Sequence, residues 1–120
     1  MINSRDKGAR GEREWAAFLQ ELTGKPTRRG CQFAGGQDSP DVVGGIEGTH
    51  CEVKRVERLN IYDAIEQAKN DAGTNKPYVA HRRDKRSWLI TIKGDDLIIF
   101  ACLVLASTGG NNESDKVPSV

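Results

Sequence analysis

A chain of 120 residues is long enough for one ordinary domain and too short for two. Only 37% of it is apolar and seven residues are aromatic, so the core must be modest. The formal net charge of +1 excludes strongly acidic or basic behaviour of the whole chain, but not of its parts.

Those parts differ. Residues 1–33 carry seven Lys/Arg against four acids, and residues 76–93 carry six against one. Residues 34–75 hold eight acids and four bases, and residues 94–120 four acids and one base. Scattered charge is usually plain solvated surface. Segregated charge instead suits a phosphate backbone outside and cations within. Three cysteines (Cys31, Cys51, Cys102) form no CxxC, and an odd count argues against a disulfide framework. Cys51 and Cys102 lie among apolar neighbours and are expected to be small core residues. The polar N-terminus does not resemble a signal peptide, which leads us to expect a cytoplasmic protein. The apolar run Leu97–Ala106 is shorter than the roughly 20 residues of a membrane span, so no membrane partner is expected.

In chain order, the first predicted element is a helix over about Lys7–Leu22. Trp15, Phe18, Leu19 and Leu22 give it an apolar stripe, and Gly24 and Pro26 stop it. Glu12 precedes Trp15 by three residues and Leu19 by seven, which aligns it with that stripe, whereas Glu14 and Glu21 align less well. A carboxylate on a buried face costs stability unless something binds it.

Residues 28–45 are glycine-rich and predict a loop leading to a short strand at Asp41–Val43. Gly44-Gly45 marks a hairpin turn, and His50–Val56 is the returning strand. Asn60 and Asp63 predict a capped helix over Ile61–Ala72 with Gly73 beyond it. Tyr78–Arg82 and Ser87–Ile92 read as strands joined by the polar turn Arg83–Arg86. A last helix runs from Asp95 or Asp96 to about Ala106 and is apolar nearly all round, as in a deep core or a subunit seam. A strand is the competing reading there. Residues 1–106 thus form one domain, and 107–120 read as a flexible tail. A helix crossing between strands implies an α/β fold with a central mixed sheet flanked by helices.

Glu52 and Lys54 alternate with Cys51 and Val53, so the two charged side chains share one strand face. An isolated ExK is common, and a salt bridge between Glu52 and Lys54 is its bland explanation. Asp41 on the neighbouring strand, after Ser39-Pro40, and Glu12 on the basic first helix make the set more specific. Asp41 and Glu52 can supply the one or two carboxylates that Mg²⁺ takes from a protein, with the Val53 carbonyl as a further ligand. Glu12 can hold a second ion or orient a water. Lys54 can position the attacking water and stabilise the crowded phosphate. His50 and His81 are isolated and make no histidine cluster.

Ser39-Pro40-Asp41 followed by Glu52-Val53-Lys54 resembles the split motif of the PD-(D/E)xK nuclease superfamily. Lys7-Gly8-Ala9-Arg10-Gly11-Glu12-Arg13-Glu14 is similar to the start of archaeal-type Holliday junction resolvases, and the likeness spans about residues 5–93. It implies a restriction-endonuclease-like core, dependence on Mg²⁺ (with Mn²⁺ substituting), and metal-site roles for Glu12, Asp41 and Glu52. It further implies Lys54 as the catalytic lysine, Gln67 as an orienting residue, and phosphate contacts from Arg10 and Arg29. Arg5, Lys7, Arg28, Arg82, Arg83, Lys85 and Arg86 are further candidate phosphate contacts by charge.

The expected function is a metal-dependent endonuclease cutting branched DNA, foremost four-way junctions, as a homodimer with the apolar last helix as seam. A nicking, flap-cutting or restriction-type nuclease on the same core, and a non-catalytic DNA-binding module, are the alternatives. The linker Gly44–Thr49 and the Gly35-Gly36-Gln37-Asp38 loop depart from the resolvase pattern.

Overall fold

A computed structural model describes residues 4–30 and 40–108, with side chains from residue 8 onward. The side chains of Arg5 and Lys7, the loop holding Cys31 and Gly35-Gly36, and the expected tail beyond residue 108 lie outside it.

Helix α1 (Ser4–Thr23) is followed by three strands, β1 (Thr27–Arg29), β2 (Val42–Gly44) and β3 (Thr49–Arg55). Helix α2 (Ile61–Ala72) leads to β4 (Lys76–Arg82) and β5 (Leu89–Thr91), and a short 3₁₀ turn at Gly94–Asp96 opens α3 (Leu97–Thr108). The five strands stand in the order β1-β2-β3-β4-β5. β3 and β4 are parallel and every other neighbouring pair is antiparallel. Parallel neighbours need a crossover, and α2 supplies it. The expected mixed sheet between helices is present.

Strand alternation decides which side each residue serves. Cys51 and Val53 of β3, with Tyr78 and Ala80 of β4, pack against Trp15, Ala16 and Leu19 of α1. Phe100, Leu103 and Val104 of α3 and Trp88 complete that layer. Val79 faces the other way, onto Ala64 and Ala68 of α2. Trp15 anchors the larger layer: its indole donates to the Tyr78 hydroxyl at 3.4 Å and its ring meets Trp88 at 5.1 Å. Burying such a side chain contributes about 2–3 kcal/mol.

α1 approaches the sheet closely at Gly11, where a Cβ would stand 2.9 Å from Cβ of Arg55. The β2–β3 turn is set by Gly44 (φ +94°) and Gly45 (φ +83°), and the latter also lies against Leu19. A side chain at 45 would meet both an unfavourable backbone region and a core leucine.

Several expectations need correction. Phe18 and Leu22 are 43% and 62% exposed, because the buried arc of α1 runs through Gly11, Trp15, Ala16 and Leu19. β1 overlaps the segment read as loop at Arg28 and Arg29; it forms by pairing Thr27, Arg28 and Arg29 with Gly44, Val43 and Val42. Cys102 is exposed, while Cys51 is buried as expected. α3 extends to Thr108, past the expected start of the tail, and the buried Ser107 hydroxyl accepts from Glu47 N at 3.0 Å. One side of α3 stays open: Ile98, Ala101, Cys102 and Leu105 recur at three- and four-residue steps and all are exposed. No described helix is long and apolar enough to cross a membrane.

Candidate active site

Asp41 stands where β2 begins and is tied to the backbone on both sides. Its N–H donates to the Cys51 carbonyl at 2.9 Å, and its own carbonyl accepts from Gly30 N at 2.8 Å. Oδ2 of Asp41 accepts from Val53 N at 2.8 Å. A carboxylate thus takes a strand-edge donor that a longer β2 could have paired. This fixes the charge beside β3, next to Glu52.

Glu52 is only 6% exposed and shares its strand face with Lys54. The Lys54 ammonium stays 3.9 Å from the Glu52 carboxylate, outside hydrogen-bond length, so the pair is no tight salt bridge. Removal from water raises the Asp41 pKa to about 6, with Glu12 adding repulsion while the Val53 N–H, Lys54 and Arg29 oppose the rise. Burial likewise raises Glu52 to about 7, with repulsion from Asp41, Asp71 and Glu12 adding to it and Lys54 opposing it. Four acids, Glu12, Asp41, Glu52 and Asp71, therefore influence one another near Lys54. A divalent cation beside Asp41 and Glu52 would relieve both the desolvation and the repulsion.

Glu12 enters from α1 and is clasped by Arg29 of β1, with Arg29 Nε 2.6 Å from its Oε1. Glu14, two residues further along α1, pairs instead with Arg55 at 2.9 Å, and Arg55 also reaches Asp84 at 3.1 Å. Arg55 is a brace between α1, β3 and the β4–β5 turn that sequence reasoning did not single out. Its signal is its parity on β3, opposite to Lys54 and toward α1.

The remaining expected residues divide. Arg10, Arg28, Arg83, Lys85 and Arg86 are exposed and available to a large anion. Arg82 lies over the Trp88 ring at 5.6 Å, and Arg29 is engaged with Glu12. Gln67 is an exposed residue of α2. Val53 donates its N–H to Asp41. His81 bonds Thr91 at 2.9 Å across β4–β5, as a structural histidine would. His50 is not isolated: it is buried and lies with Glu52 and Asp71.

The raised acids set a stability prediction with a definite sign. Their folded pKa values exceed the usual carboxylate value of about 4, so the folded chain binds more protons than the unfolded one between about pH 4 and 7. Metal-free protein should therefore lose stability as pH rises through that window. The loss should be on the order of 2–4 kcal/mol after solvent screening. Calorimetric melting in chelator at pH 5 and pH 8 reads it, and added Mg²⁺ should recover the loss at pH 8. A metal-free protein that melts higher at pH 8 would contradict the assignment of both shifts.

No family model matches the chain, and no curated protein matches its sequence. A solved structure does. Hjc of Archaeoglobus fulgidus, a Holliday junction resolvase from an archaeal hyperthermophile, superposes with a TM-score of 0.51. The two are 26% identical, and the match covers 72% of this chain and 72% of that one. In fold and in the order of its acidic and lysine residues, the chain resembles the archaeal-type Holliday junction resolvases of the PD-(D/E)xK nuclease superfamily.

Proposed function

We propose that this protein is a divalent-metal-dependent endonuclease that cleaves branched DNA, with four-way junctions as its principal substrate. The observation that carries the reading is the Asp41–Glu52 pair. Asp41 is bonded to the N–H of Val53, the residue after Glu52, both acids have pKa values raised toward neutrality, and Lys54 lies 3.9 Å from Glu52.

Asp41, Glu52 and the Val53 carbonyl would hold Mg²⁺, with Glu12 as a further oxygen donor. The bound ion would acidify a water and neutralise charge growing on the phosphate. Lys54 would donate toward the phosphoryl oxygen and keep the attacking water in line. Glu12 would orient that water once Arg29 turns to a DNA phosphate. Gln67 is retained as an orienting residue on the strength of the resemblance alone. Arg5, Lys7, Arg10, Arg28 and the turn residues Arg83, Lys85 and Arg86 would bind backbone phosphates, giving affinity that falls steeply with salt and little base readout.

Symmetric cutting of two opposed strands calls for two sites related by a twofold axis, and this small domain carries one. The open face of α3 suits that seam, since Ile98 and Leu105 are 73% and 68% exposed on an otherwise apolar helix. A supercoiled plasmid bearing a cruciform tests substrate and symmetry together. The parent protein should linearise it in Mg²⁺, and Leu105→Glu should shift the product toward nicked circles. A synthetic junction should be cut in preference to a flap, a nicked duplex and plain duplex. Equal cutting of junction and plain duplex would replace the resolvase reading with that of a general nuclease.

A further inference from the structure

His50 and Glu52 lie two residues apart on β3 and share the side that faces α2. Asp71, in the last turn of α2, comes down onto them. One ligand atom from each of the three lies within 4.8 Å of the others. The strand runs from His50 through Glu52 to Lys54, so Glu52 stands between two neighbourhoods. Asp41 and Lys54 belong to one, His50 and Asp71 to the other.

Glu52 is more than nine-tenths buried, and its paired ammonium remains at 3.9 Å. His50 is 2% exposed. Two nearly enclosed donors from one strand thus meet a third, better exposed, from a helix. Ligand atoms on opposite sides of an ion with bonds of about 2.1 Å are about 4.2 Å apart, and in a tetrahedron about 3.4 Å. Side-chain shifts of about an ångström bring a trio spaced within 4.8 Å to that span. One imidazole and two carboxylates suit Zn²⁺ or its congeners, whereas Mg²⁺ favours oxygen alone.

We propose that His50, Glu52 and Asp71 form a binding site for a transition-metal dication of the zinc class, separate from the magnesium-type site at Asp41 and sharing only Glu52 with it. An ion there draws the Glu52 carboxylate toward α2 and away from Asp41. Zinc then opposes magnesium-dependent cleavage. The binding half stands without the nuclease reading, and the inhibitory half rests on it.

The test has two arms on the full-length chain. Calorimetric titration of metal-free protein with Zn²⁺, and with Co²⁺ followed by visible absorption, should give one ion per chain in the presence of excess Mg²⁺. His50→Ala and Asp71→Asn should each weaken that binding about tenfold or more. Asp71→Asn preserves shape at a partly exposed helix position, so it remains informative if the buried His50 variant fails to fold. Asp41→Asn should leave zinc binding in place. No ion bound, or undiminished binding in Asp71→Asn, overturns the site. In the second arm, zinc added to a cleavage reaction in Mg²⁺ should inhibit the parent at concentrations about tenfold below those needed for Asp71→Asn. Equal inhibition of the two overturns the competition. Zinc binding that obeys the first arm in a protein that cuts no DNA supports the site and removes the nuclease reading.

Discussion

Asp41→Asn is expected to lower Mg²⁺-dependent cleavage of a four-way junction about 10³-fold or more, the rate equivalent of several kcal/mol of lost charge stabilisation. Asparagine has the shape of aspartate, and its amide oxygen can still accept from Val53 N, which donates to Asp41 at 2.8 Å. The backbone anchors to Cys51 and Gly30 do not involve the side chain. Fold and phosphate contacts should survive, so junction affinity in Ca²⁺ or without metal should remain near the parent value. The same exchange removes a charge that burial already disfavours, as the pKa of about 6 records. Metal-free Asp41→Asn should therefore melt higher than the parent at pH 8. Lost cutting, retained binding and raised stability form a combined signature that a merely structural aspartate would not give. Unimpaired cleavage by this variant would remove Asp41 from the metal site.

The second large effect concerns two acids on α1 that differ in what they face. Glu12→Gln should slow cutting about 10²-fold, within the range typical for an orienting or acid–base group. Its ion pair with Arg29 is partly solvated, so the stability cost should stay within about 1 kcal/mol. Glu14→Gln breaks the pair with Arg55 and should cost a similar amount of stability, yet cut at nearly the parent rate. Single-turnover rates with enzyme in excess over junction, measured beside thermal melts, separate the two. Equal slowing by both variants would mean that Glu12 acts only through the helix.

How much of this was legible in the residues varies with how local the cause is. α2 was readable residue for residue at Ile61–Ala72 because its start and stop are local. Asn60 accepts from Asp63 N at 3.1 Å, and Gly73 takes a positive φ of 63°. β1 was not readable: three polar residues, Thr27, Arg28 and Arg29, become a strand only because β2 lies beside them. The same holds for Phe18, which follows the helical period yet ends outside the core, where Ala16 takes the place nearer the sheet. Cys102 has apolar neighbours in sequence but sits on the open side of α3. That Asp41, Glu52 and Lys54 lie near one another was legible, because β2 and β3 are neighbours and alternation puts Glu52 and Lys54 on one face. The clasp of Arg29 on Glu12 and the meeting of His50 with Asp71 were not. Both depend on how helices seat across the sheet, which no local pattern encodes.

Gly11 gives that seating a tolerance. With only hydrogen at this position, α1 settles onto Arg55 at a separation that leaves Glu12, its next residue, level with the end of β3. A methyl group there would pry the helix outward by some tenths of an ångström, carrying the neighbouring acid with it. The smallest side chain in the segment thus works as a gauge, fixing how far the neighbouring Glu12 stands off the sheet.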